Sequence, residues 1–256
     1  MPVPQDIPRK VAAGEGWQWV RSGFRLYRRN PLLLSAAFAM LFGVVMALGL
    51  VPVVGGALSD FAAPLMVAGF MAAFRALDEG RDLELPHFLA GVRGPAIPLM
   101  TIGAVQLLGA LAIGTVMENM GFDAETFVAA ARTQQDPAAM QALLNEAAPA
   151  VLTGLLLFTP LMMATWFAPA LILFGGARPM TALGVSMKAV LRNWAALLVN
   201  GLALALVLLL AALVPLMLGL LVAMPVLFGS LYASYQAIFA VWSDETTPPQ
   251  AGDNLA

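Results

Sequence analysis

The sequence predicts an all-α polytopic membrane bundle: six spans paired into three helical hairpins, with amphipathic interfacial helices beside them. Three observations predict it: an excess of apolar residues, their gathering into long uncharged runs, and a one-sided placement of Lys and Arg. Apolar residues make up 61% of the 256-residue chain and charged residues 11%, against roughly 45–50% and about 25% in an average soluble domain. Uncharged runs cover Pro31–Ser59, Gly94–Met117, Ala147–Ala177 and Asn193–Ser243. A span needs roughly 20 apolar residues, so the first run, which continues past Asp60 to Phe74, and the last run each hold two spans.

The spans are expected at 31–51, 57–77, 95–117, 149–174, 194–213 and 216–241. Between them, Val51-Pro52-Val53-Val54-Gly55-Gly56 and Val214-Pro215 read as tight hairpins, because proline lacks an amide hydrogen and disfavours helix in the residue before it. Twelve of the 13 Lys and Arg residues fall on one side: six before the first span, three in 75–94 and three in 175–193, leaving only Arg132 opposite. Basic loops stay in the cytoplasm, so both termini are expected there, in the inner membrane of a bacterial cell. The first 30 residues carry six of these cations and no early apolar stretch, unlike a cleavable signal.

The chain also repeats. Arg29-Asn30 and Arg192-Asn193, and likewise Leu50-Val51-Pro52 and Leu213-Val214-Pro215, share an offset of 163, and a middle copy starts at Arg93-Gly94-Pro95. The second span of each pair carries a proline with small residues four and eight positions on: Pro64/Ala68/Ala72, Pro160/Ala164/Ala168 and Pro225/Gly229/Ala233. Such stripes lie on one helix face and allow close packing in lipid. The middle copy is longer by about the length of the acidic stretch 118–148, which reads as an extracytoplasmic insert within three parallel units. Two short helices are expected in the insert, the second opened by Asp136 as N-cap and Pro137 at the first helical position.

Before the first span, Trp17, Val20, Phe24 and Tyr27 recur at helical spacing beside Arg21, Arg25 and Arg28. That pattern suits a helix lying in the headgroup layer, aromatic side inward and basic side towards anionic lipid. Lys188, Arg192 and Trp194, with Leu183, Met187 and Val190, repeat it before the fifth span, and Leu85, Phe88, Leu89 and Val92 form a shorter version. The chain thus divides into a disordered tail plus basic interfacial helix over 1–30, a membrane domain over 31–243 and a disordered tail over 244–256.

Little in the spans can do chemistry. There is no cysteine, the lone His87 lies beside only Asp82 and Glu84, and the deep polar groups are neutral: Thr101, Gln106, Thr153, Thr159, Thr165, Asn200, Ser230 and Ser234. Gln106 and Asn200 are the candidate intramembrane polar site, since a buried amide needs a partner. No nucleotide-loop, serine-elbow or zinc-protease motif is present. No catalytic residue, metal or cofactor is expected, and no nucleic-acid partner.

Pro8-Arg9-Lys10-Val11, Gly23 to Pro31, Trp166 to Leu171, Leu191-Arg192-Asn193-Trp194 and Tyr232-Ala233-Ser234-Tyr235 resemble a family of proteobacterial six-helix inner-membrane proteins. The architecture is also loosely similar to the membrane domain of some glycerophosphodiester phosphodiesterases. These resemblances imply an inner-membrane hairpin bundle and bring no catalytic residues. The leading expectation is a non-enzymatic protein that organises membrane lipid or another membrane protein. The alternative is a permease or channel for a neutral or amphipathic small molecule, built around Gln106 and Asn200. A topology reporter fused after Ala256 should read as cytoplasmic; an extracytoplasmic signal would reverse the orientation.

Overall fold

A computed structural model of the chain describes residues 8–52, 54–133 and 136–239. Among them lie twelve α-helices: α1 Glu15–Tyr27, α2 Pro31–Gly49, α3 Gly55–Asp78, α4 Leu85–Phe88, α5 Ala90–Arg93, α6 Ala96–Asn119, α7 Ala124–Thr133, α8 Pro137–Thr165, α9 Ala168–Gly175, α10 Pro179–Arg192, α11 Trp194–Ala212 and α12 Leu220–Phe239. No strand occurs among the described residues. Six stretches are long and apolar enough to cross a membrane: α2, α3, α6, the continuous α8–α9 stretch Pro137–Gly175, α11 and α12. The expected disordered tails lie outside the described residues, apart from Pro8.

Local chemistry sets most of the helix ends. Asn30 caps α2 by accepting the Leu33 amide at 3.3 Å, with Pro31 at the first helical position. After α11, Pro215–Met217 make one 3-10 turn, and exposed Leu216 takes a left-handed φ of 56° to reverse the chain. The fourth span departs most from expectation. Asp136 does open a helix, accepting the Ala138 amide at 3.1 Å, but that helix is not short. It runs through Pro149 and Pro160 as α8 to Thr165, so most of the insert after α7 is the start of the span. The fourth span then breaks at Trp166–Phe167, where α8 gives way to α9. The buried hydroxyl of Ser186 repairs the break, accepting the Phe167 amide at 3.0 Å and donating to the Met163 carbonyl at 2.8 Å.

The three units are visible as α1–α2–α3, α4–α5–α6–α8–α9 and α10–α11–α12, with α7 in the insert. Their leading segments do not rest on their own hairpins. Instead α4 and α5 pack on α3, α10 packs on α8 and α9, and α1 packs on α12 and α11. Each leading segment therefore sits on the hairpin of the unit before it, and α1 closes the ring on the last. The core gathers where these segments meet the ends of α3, α9 and α12, around Phe70, Phe74, Phe167, Ile172, Tyr232 and Tyr235. α12 is its centre: 61% of its apolar window is buried, against 17% in α2, α6 and α11.

The seating of α1 depends on bare backbone. A Cβ on Gly23 would fall 2.5 Å from the Ser230 amide nitrogen and 2.7 Å from the Val226 carbonyl oxygen. Across the crossing, a Cβ on Gly229 would fall 2.9 Å from the Gly23 α-carbon. The expected proline-led stripe is thus used in the third unit, and in the first, where Pro64 and Ala68 are buried. In the middle unit Pro160 is exposed, so that copy does not pack as expected. Replacing Gly23 by Leu forces these backbones apart and should destabilise the detergent-solubilised protein by roughly 1–3 kcal/mol. Gly14→Leu, where a Cβ meets nothing within 4 Å, is the control; equal melting temperatures for the two variants would contradict the crossing.

Candidate functional site

On α1 the sequence supplies two apolar faces, and packing chooses between them. Gly16, Trp19, Val20, Gly23, Leu26 and Tyr27 turn inward, while Trp17 and Phe24 remain about half exposed at 50% and 48%. The expected Trp17/Val20/Phe24/Tyr27 face is therefore split. Tyr27 is buried, its phenol within hydrogen-bond distance of the Ser35 hydroxyl at 2.9 Å, which in turn donates to the Leu221 carbonyl. The reason is the glycine pair, Gly16 and Gly23: it lets the Trp19/Leu26 side approach α11 and α12 more closely than a face lined by Trp17 and Phe24 could.

The outward face of α1 forms an open groove of about 630 Å³ lined by Gln18, Arg21, Ser22, Phe24, Arg25, Arg28 and Arg29. Arg21, Arg25 and Arg28 follow one another at helical spacing along it. Arg25 donates to Ser22 Oγ at 3.0 Å, and Arg29 donates to the Leu77 carbonyl at the end of α3. No carboxylate lines the groove. The ion pairs among the described residues are elsewhere: Glu79 accepts from Arg75 at 2.7 Å and from Arg81 at 2.5 Å. Those two guanidiniums hold the Glu79 carboxyl below its usual range, Arg75 foremost. Four guanidiniums thus share the groove without an acidic counter-charge.

Lys188, Arg192 and Trp194 are also exposed, on α10 and at the start of α11, but they do not join the α1 groove, since α10 packs on the middle hairpin. Between the two lies Asn193, whose part could not be read from its place before a span. Its side chain accepts the Val11 amide at 2.9 Å and donates to the Arg9 carbonyl at 2.8 Å. The Arg9 amide donates to the Ile238 carbonyl at 2.7 Å. Asn193 and α12 together fix the segment leading into α1. The shared Arg-Asn motif was the available signal, although Asn30 and Asn193 use their amides differently.

The proposed polar pair does not assemble. Asn200 is 2% exposed and its Oδ1 accepts from Ser230 Oγ at 2.6 Å, which fastens α11 to α12. Gln106 is half-buried on α6 and shares no printed hydrogen bond with Asn200 or lining of the α1 groove. The hydroxyls of Thr101, Thr153, Thr159 and Thr165 each donate to the carbonyl four residues back, at 2.7–3.0 Å. They are satisfied within their own helices. His87 Nδ1 accepts the Glu84 amide at 3.1 Å, closing the turn that starts α4. Among the described residues no group of three or more His, Cys, Asp or Glu could hold a metal ion.

This arrangement can be set beside known proteins. The chain is 32% identical to a probable inner membrane protein of Burkholderia thailandensis over an alignment of 262 positions, which covers 91% of this chain and 93% of that one. The two belong to one family. No family model matches the chain, and no solved structure does. Membership covers the hairpins, the leading segments and the insert alike, so the ring of three units belongs to an integral membrane protein throughout its length.

Proposed function

We propose that the protein is a non-enzymatic component of the bacterial inner membrane, both termini in the cytoplasm, that gathers anionic lipid or an acidic partner on α1. The observation that carries this reading is the groove of four guanidiniums with no carboxylate, flanked by exposed Trp17 and Phe24. Cations beside aromatic side chains at a membrane surface suit phosphate headgroups, each Lys or Arg contributing about 1 kcal/mol. The relative's name, an inner membrane protein, supports the location, and the loose likeness to phosphodiesterase membrane domains fits a lipid-facing role. The permease reading has less support, because Asn200 is committed to Ser230.

The test uses full-length protein in nanodiscs that mix phosphatidylglycerol with phosphatidylcholine. Arg21→Gln/Arg25→Gln/Arg28→Gln should lower the enrichment of the anionic lipid around the protein by roughly tenfold or more, with the effect fading at high salt. Unchanged enrichment in a variant of normal melting temperature would overturn the reading.

A further inference from the structure

The ring of three units has an open seam. In the first unit the leading span α2 packs on α12 of the unit before it, and in the second unit α6 packs on α3. By the same rule α11 should pack on α8. It does not: the two helices face each other across an apolar groove of about 270 Å³, bounded by Met162, Trp166, Val190, Leu197 and Gly201 among others.

The repeat explains the opening. Counting nine residues on from Arg29, Arg93 and Arg192 gives Phe38, Ile102 and Gly201. Phe38 is 3% exposed and Ile102 is fully buried; Phe38 reaches the Phe228 ring of α12 at 6.5 Å between centroids. At the equivalent place in the third unit there is no side chain, and a Cβ on Gly201 would meet nothing within 4 Å. The seam is open by the identity of one residue.

We infer that this groove holds one acyl chain of an anionic phospholipid. One turn of an α-helix about 10 Å across displaces roughly 400 Å³, more than the groove contains, so its size fits a chain rather than a helix. The charge fits too. Val190, which walls the groove, is flanked two residues away on either side by Lys188 and Arg192. Both are exposed and neither forms an ion pair among the described residues. A phospholipid whose chain enters the seam has a phosphate for them to meet, and exposed Trp194 lies beside them. The site is separate from the α1 groove, and its test does not depend on that one.

Full-length protein in vesicles is photolabelled with phosphatidylglycerol or phosphatidylcholine carrying a diazirine on one acyl chain, and adducts are mapped by mass spectrometry. Adducts at Met162, Met163, Trp166 and Leu197 should exceed those on lipid-facing α2. Gly201→Phe, which places in the third unit the residue that the first has at 38, should bring them down to the α2 level without altering adducts near α1. Lys188→Gln/Arg192→Gln, which leaves the groove open, should reduce the preference for phosphatidylglycerol by roughly tenfold. Adducts no denser in the groove than on α2, or unaffected by Gly201→Phe, would overturn the inference. So would a dimer that Gly201→Phe dissociates, which would assign the groove to a second copy of the chain.

Discussion

The architecture depends on one contact, the seating of α1 on the last hairpin through Gly23 and Gly229. In lipid, apolar side chains gain little by leaving the surrounding acyl chains for one another, so helices associate through close backbone approach and scarce polar bonds. The α1 crossing has both. Its glycines let the backbones touch, and beside it Asn200 and Ser230 tie the two helices of the hairpin on which α1 rests. Asn193 and the Ile238 carbonyl then hold the chain that leads in. Without that contact the first and third units would be joined mainly by α2 and α3 against α12.

From the same contact follows the placement of charge. Committing Gly16, Trp19, Gly23 and Leu26 to the bundle leaves Arg21, Arg25 and Arg28 on the free side of α1, where no acid has been supplied. The hydrocarbon-spanning parts carry no such surplus. Their hydroxyls bond back along their own helices, and the buried amide of Asn200 is matched by a serine. What this molecule offers to others is therefore at its surface, along the basic segments and in the seam beside α11.

Much of this was legible beforehand. The uncharged runs located the spans to within a few residues, except for α8, because Pro149 was read as a boundary and is tolerated inside a helix. The offset of 163 residues announced the repeat, yet periodicity in one chain cannot say that each leading segment sits on the preceding unit. That choice is made in three dimensions by where glycines meet. On α1 the apolar residues cover more than one face, so pattern alone favoured Trp17 and Phe24 over Trp19 and Leu26. The signal that separates them was Gly16 with Gly23, seven residues apart on one face. For the candidate site, the arginines of α1 were found from sequence, while Arg29 and Asn193 needed the fold to show their partners.

The most direct test joins the two ends of the ring. The chain contains no cysteine, so Arg9→Cys with Ile238→Cys introduces a single pair, placed where a main-chain hydrogen bond of 2.7 Å sets the α-carbons about 5–6 Å apart, within disulfide range. With a protease site added in the 118–148 insert, the oxidised protein should remain one covalent species after cleavage and separate into halves only on reduction. Halves that separate without reduction, although each cysteine alone reacts with a maleimide, would contradict a ring closed by α1.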